Sequence, residues 1–223
     1  MTAAVRALIF DMDGTLVDNM PAHTAAWAEW HRRRGMAFDA SSFFGRTAGR
    51  TDLDIIGEIL PGRPKAEFQA LVDEKQAIYR ELFLPHRRLA NGASALFDEA
   101  DRLGLVMAVA TAAPLPNVDF ILDGLAIRHR FRAVVSPALG LRAKPHPDMF
   151  LAAARAMGVP PTACVVFEDA PLGIEAAARA GMPVIAIGTT LPAAALAAPH
   201  VLQVRPDFTG IDLAALTGSA ASA

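Results

Sequence analysis

Six short stretches of this chain are almost continuously apolar: Val5–Phe10, Leu105–Ala110, Ala133–Val135, Ala163–Phe167, Pro183–Ile187 and His200–Val204. A half-exposed strand alternates apolar with polar residues. An unbroken apolar run is the mark of a strand covered on both faces, as in a parallel sheet packed between helices. Between the runs, apolar residues recur at helical spacing over Ser94–Leu103, Asn117–Leu125, Pro147–Met157 and Leu172–Ala180. Gly104, Gly158 and Gly181 follow three of these segments, where a helix commonly ends in a left-handed residue. This succession of strand, loop and helix predicts an α/β fold built on a doubly wound, Rossmann-like parallel sheet.

One stretch departs from the alternation. Met20–Leu89, about seventy residues, carries helical patterning and no convincing strand. It predicts a helix over Pro21–Arg34 closed by Gly35, a shorter one over Leu53–Leu60 and a long one over Ala66–Leu84. The chain thus reads as a catalytic core of residues 1–17 and 90–223, interrupted after its first strand by an α-helical cap of residues 18–89. An insertion there is expected above the C-terminal ends of the strands, where such sheets bind ligands, and to act as a lid. The terminal stretch Thr217–Ala223 is expected to fray.

Composition narrows the partners. With 53% hydrophobic and 20% charged residues, the 223-residue chain can bury a substantial core. Its 21 basic and 23 acidic side chains give a net charge of -2, which offers no broad basic surface to nucleic acid or anionic lipid. No apolar run approaches the ~20 residues that span a bilayer. The N-terminus passes from a short strand into acidic residues, unlike a signal peptide. A cytoplasmic protein with a small-molecule partner, and neither nucleic-acid nor membrane partner, is expected; it is read as a monomer, with a weak homodimer as the alternative. Cys164, the single cysteine, lies within an apolar run and reads as a small buried hydrophobe rather than a redox or catalytic thiol.

The chemistry-bearing residues fall at the ends of the apolar runs. Asp11-Met12-Asp13-Gly14-Thr15 follows the first, projecting two carboxylates into the crevice, while Gly14 allows a sharp turn and close approach to a ligand. By itself this motif is also compatible with a solvated turn. Thr111 ends the second run, Lys144-Pro145 follows the third, and Glu168-Asp169 ends the fourth. Parallel topology brings all these ends to one edge. Clustered carboxylates with room for water suit magnesium, which favours octahedral oxygen coordination. Phosphoryl transfer needs positioning and charge stabilisation. In this reading Asp11 attacks phosphorus, and Asp13 serves as the general acid and base. Lys144 and Thr111 hold the phosphoryl oxygens.

These residues, in this order, resemble the haloacid dehalogenase superfamily, specifically its helically capped phosphatases and β-phosphoglucomutases. The motifs that carry the likeness are Asp11, Asp13, Gly14 and Thr15; Thr111; Lys144-Pro145 with Pro147-Asp148; and Glu168-Asp169. The resemblance implies Mg2+ bound by Asp11, the backbone carbonyl of Asp13 and Asp169, with Glu168 ligating directly or through water. It implies an aspartyl-phosphate on Asp11, and Asp13 argues against a dehalogenase. Gly14, Thr15 and Ala112 belong to the implied substrate-binding set. In the cap, Lys75 lies four residues before Tyr79, as does a lysine that reaches phosphate in β-phosphoglucomutase-like members; the alternative is a lysine snorkelling to the rim. His23 lies twelve residues after Asp11, the spacing of a histidine that helps control the general acid; packing at a hinge is the alternative. Arg46 and Arg50 fall in an expected cap loop, Gly45–Thr51, facing either substrate or solvent.

Several positions depart from the pattern. Mutases carry a lysine before a cap-loop glycine, whereas Phe44 precedes Gly45 and Ala48 precedes Gly49 here. Ala112, Ala113, Ala170 and Asn19 stand where hydroxyl residues are common in the family. The expected function is therefore a phosphatase acting on a small phosphorylated metabolite, with a phosphomutase as the first alternative. The second is a silent module that binds a phosphometabolite.

Overall fold

A computed structural model describes residues 4–47 and 50–218. In chain order it contains β1 (Ala7–Phe10), α1 (Met20–Arg32), α2 (Ala40–Thr47), α3 (Asp52–Ile59), α4 (Lys65–Phe83), α5 (Ala93–Arg102) and β2 (Val106–Ala110). There follow α6 (Leu115–Leu122), β3 (Ala133–Val135), α7 (Asp148–Met157), β4 (Cys164–Glu168), α8 (Pro171–Arg179), β5 (Val184–Ile187), α9 (Ala193–Leu196), β6 (Val201–Arg205) and α10 (Leu213–Thr217). The chain forms two compact units, one running to Asp18 and resuming at Arg88, the other comprising Asn19–Arg87.

The first unit is an α/β domain with one six-stranded parallel sheet in the order β3-β2-β1-β4-β5-β6. The strand order reverses between β1 and β4, so this pair frames the crevice in which doubly wound sheets bind ligands. Every residue of β1 and β4 is buried, as their unbroken apolar sequences demand. One face is filled by alanines and branched residues of α7 and α8 against Ile9, Ala108 and Val166. The centre of the sheet also carries stacked Phe10 and Phe167, centroids 4.7 Å apart, with Phe97, Phe131 and Phe208 around Phe10. Cys164 is fully buried in this core. Gly104, Gly158 and Gly181 all adopt positive φ just beyond their helices.

The second unit is wholly helical among its described residues. The apolar and aromatic side of α1 meets α4, where the Trp30 indole N–H donates to the Leu71 carbonyl at 3.2 Å and Arg34 lies 3.8 Å over the Trp30 ring. Sequence and structure differ at α2. The expected loop over Gly45–Thr51 fails at its start, because Gly45, Arg46 and Thr47 form the last turn of this helix. Serine, glycine and threonine are poor helix formers, which hides the helix from pattern reading. Asp39 nucleates it: its carboxylate accepts from the Ser41 N–H at 3.0 Å and hydroxyl at 2.6 Å, and its carbonyl from the Phe43 N–H at 3.1 Å. Hydrogen bonds from Ser41 and Ser42 hold the Asp39 carboxyl down at about 2. The side chain of Arg46, together with Ala48, Gly49 and the tail beyond Gly218, lies outside the described residues. Among the described residues no helix is long and apolar enough to cross a membrane.

Candidate active site

Register determines which residues meet at the crevice. Phe10 of β1 is level with Val109 of β2 and Phe167 of β4, and the Asp11 N–H continues the ladder to the Phe167 carbonyl at 3.0 Å. Asp11 therefore stands beside Glu168, with Thr111 just past the neighbouring strand end. The next residues turn sharply: the N–H groups of Thr15 and Val17 return to the Met12 carbonyl, and the Gly14 N–H to Val17. Asp13, half-buried, sits in this turn while Met12 beside it is sunk in the core. Gly14 has φ +79°, and a Cβ there would fall 2.1 Å from Asp169 Oδ2. Only glycine satisfies both conditions.

Lys144 is the hub. Its Nζ donates to Asp11 Oδ1 at 2.5 Å and to Glu168 Oε1 at 2.6 Å, and lies 5.0 Å from the Phe150 ring centroid. Glu168 uses its other oxygen to accept the Ala170 N–H at 2.8 Å. It packs so tightly against α8 that a Cβ on Gly173 would come 1.7 Å from Oε1. Asp169 is held from two sides: the Thr15 hydroxyl donates to Oδ1 at 3.1 Å and the Thr190 hydroxyl to Oδ2 at 2.6 Å. The Thr111 hydroxyl oxygen accepts the Ala113 N–H at 3.0 Å, which leaves its proton to donate elsewhere. Ala112 beside it is exposed.

The charges do not balance. Asp11, Glu168 and Asp169 are all buried, facing one ammonium. Burial opposes the Lys144 charge, but Asp11 and Glu168 outweigh it and hold the ammonium above the usual lysine range. Burial drives the Asp11 carboxyl well above the carboxylate range; Lys144 counters this, and Glu168 and Asp169 reinforce it. Asp169 is pushed up to about 7, first by burial and then by Glu168. Such a surplus of buried carboxylate is relieved either by a proton or by a further cation. Among the described residues no group of three or more His, Cys, Asp or Glu side chains is arranged to hold an ion by itself. Magnesium does not require one, since it commonly takes one or two carboxylates and completes its shell with water and substrate phosphate. The donor set fits that ion.

Lys75 and His23, of the expected cap, cluster within the helical unit. Lys75 is 1% exposed, with Nζ 3.2 Å from Asp52 Oδ2, 3.0 Å from His23 Nδ1 and 4.9 Å from the Trp27 ring centroid. Gln76 donates to the same Asp52 oxygen at 2.6 Å. His23 stacks on Tyr79 with centroids 3.8 Å apart, and Asn19 donates to the Tyr79 hydroxyl at 2.6 Å. An ammonium only donates, so it fixes His23 Nδ1 as the acceptor. Arg50, exposed, is 2.8 Å from Glu58. Lys75→Met is expected to cost about 3 kcal/mol by leaving Asp52 without its cation. A chemical melt checks this; an unchanged midpoint and slope count against it.

Sequence reasoning singled out most of the core cluster but not Asp52, Gly173, Thr189 or Thr190. Thr189 and Thr190 come just after the fifth apolar run and Gly188, close to the position that marked Asp11, Thr111 and Glu168 after the first, second and fourth.

The comparisons agree with this architecture. A family model described as haloacid dehalogenase-like hydrolase matches residues 5–181. Fructose-1-phosphate phosphatase YqaB of Escherichia coli (strain K12) is 36% identical over 190 residues, covering 80% of this chain and 94% of that protein. β-Phosphoglucomutase of Bacillus subtilis (strain 168) is 30% identical over 212 residues, covering 92% of each chain. The solved structure of a family IA, variant 3 HAD hydrolase from Entamoeba histolytica superposes with a TM-score of 0.88 at 26% identity. It covers 96% of this chain and 98% of that one. The chain belongs to the haloacid dehalogenase-like hydrolases. The hydrolase family and its phosphatase-named relatives support a phosphoric monoester hydrolase.

Proposed function

We propose that the protein is a magnesium-dependent phosphatase of a small phosphorylated metabolite of the sugar-phosphate class, and that turnover passes through an aspartyl-phosphate on Asp11. The observation that carries this reading is the bridge of Lys144 between Asp11 and Glu168 at the β1/β4 crevice. It orients a carboxylate and places a cation where the phosphoryl charge arrives. Asp11, the Asp13 carbonyl and Asp169 are the proposed ligands. Glu168, with Lys144 on one oxygen and the Ala170 N–H on the other, is placed to ligate directly or through water. When bound, magnesium screens the anionic nucleophile from the anionic ester.

The chain's own residues perform the steps. Asp11 forms a bond to phosphorus as the ester P–O bond breaks, and Asp13 gives the leaving alcohol its proton. Asp13 then takes a proton from water, whose oxygen displaces Asp11 and releases inorganic phosphate. Lys144 and Thr111 hold the phosphoryl oxygens throughout. The names of the phosphatase and mutase relatives support the sugar-phosphate class. Substrate choice is assigned to residues of the helical unit.

The test is phosphate release from p-nitrophenyl phosphate and a panel of sugar phosphates. Release is expected with magnesium and should be abolished by EDTA. Inactivity across the panel would favour a silent binding module. The second reading, a phosphomutase, draws on the β-phosphoglucomutase likeness. Against it stand Phe44 and Ala48 where mutases place lysine before a cap-loop glycine. Isomerised hexose phosphate without free phosphate would establish the mutase.

A further inference from the structure

Beyond the four polar strand ends, β5 sends a fifth polar segment to the site. Gly188-Thr189-Thr190 follows it directly, and both hydroxyls turn back toward the β1 loop. The Thr189 hydroxyl donates to the Gly14 carbonyl, and the Thr190 hydroxyl donates to Asp169 Oδ2 at 2.6 Å. The two hydroxyl oxygens are themselves 3.4 Å apart. Gly14 leaves room for this arrangement, since a Cβ there would lie 2.1 Å from Asp169 Oδ2 and 2.8 Å from Thr190 Oγ1.

We propose that Thr189 and Thr190 form a hydroxyl clamp that ties the β5 loop to the Asp11–Thr15 turn and sets the plane of the Asp169 carboxylate. The clamp deepens the reading of Asp169 as a metal ligand and rests on it. An aspartate carboxylate turns over a broad, shallow range about its last torsion. Thr15 fixes one oxygen, and Thr190 from the opposite side fixes the other. Each oxygen accepts two hydrogen-bond or ligand contacts, so one position on each remains open to an ion. Partners that orient a ligating carboxylate typically govern metal affinity by ~10- to 100-fold. Thr190 is therefore a positioning residue, acting through Asp169, and Thr189 fixes the backbone that faces it.

The test is magnesium titration of the substrate-free protein by calorimetry, comparing wild type, Thr190→Val, Thr190→Ser and Asp169→Asn, with a thermal melt of each. Valine keeps the branched shape and removes the donor, whereas serine keeps the donor. Thr190→Val is expected to weaken magnesium binding about 10-fold or more while remaining folded. Thr190→Ser is expected to restore it, which a packing role for the threonine methyl would not. If Asp169→Asn binds magnesium as wild type does, the metal reading of Asp169 falls and the clamp with it. If Asp169→Asn loses the ion but Thr190→Val binds it normally, the clamp alone is wrong. Should the valine variant unfold, Thr190→Ser decides: weakened binding in that variant overturns the role of the hydroxyl, and wild-type affinity upholds it.

Discussion

Asp11→Asn should lower magnesium-dependent phosphate release by about 10^4-fold or more, the scale of loss when a covalent nucleophile is removed. An amide keeps the shape of the side chain but neither attacks phosphorus nor carries the charge that Lys144 holds at 2.5 Å. The same change is expected to leave the melting temperature of the metal-free protein unchanged or higher. Asp11 is buried beside Glu168 and Asp169, and burial already drives its carboxyl well above the ordinary range. Replacing it relieves repulsion among the carboxylates, and Lys144 retains Glu168 at 2.6 Å. Phosphate release and a thermal melt on one preparation check both halves. A variant with more than about one hundredth of wild-type turnover would refute the assignment of Asp11 as nucleophile.

The same residues explain why so much of the core was legible. Unbroken apolar runs permit few environments other than a sheet covered on both faces, so six of them mark six strands without reference to topology. Once the strands are parallel, the residue after each one must arrive at the same edge. Asp11, Thr111, Glu168 and Asp169 could therefore be grouped across more than 150 residues of sequence. The helices were legible for a similar reason: buried faces on α5, α7 and α8 impose their period on the sequence.

What escaped is set by contacts that leave no periodic trace. Helix α2 is started by Asp39 and its serines rather than by an apolar stripe, so its residues read as loop. Asp52 looks like an ordinary acid in the first turn of α3, and only the fold places it 3.2 Å from Lys75. The spacing of Lys75 from Tyr79 gives no sign of the partners the fold supplies from other helices, the Asp52 carboxylate at 3.2 Å and His23 Nδ1 at 3.0 Å. Thr189 and Thr190 are common residues whose meaning lies in the carboxylate and carbonyl they face.

Gly173 is the clearest case of chemistry carried by a missing atom, and Gly173→Ala should lower kcat/KM by about 100-fold, the cost of a displacement near 1 Å in a catalytic group. A Cβ at this position would lie 1.7 Å from Glu168 Oε1 and 2.0 Å from its Cδ, too close for small adjustments to relieve. The Glu168 backbone is fixed within the sheet by pairing with Ala186, so the side chain must swing away. That breaks its contacts with Lys144 and the Ala170 N–H and leaves Lys144 holding Asp11 alone. Two effects on stability oppose each other. Disrupting a buried ion pair costs about 3 kcal/mol, whereas replacing glycine by alanine inside a helix returns about 1 kcal/mol. The first should win. A double-mutant cycle separates them: once Glu168→Ala has removed the obstructing carboxylate, adding Gly173→Ala should stabilise the protein instead. If Gly173→Ala alone retains wild-type kcat/KM and stability, Glu168 has another seat and the contact with α8 does not position it. If the second substitution destabilises the Glu168→Ala background as much as the wild type, the clash lies with something other than this carboxylate.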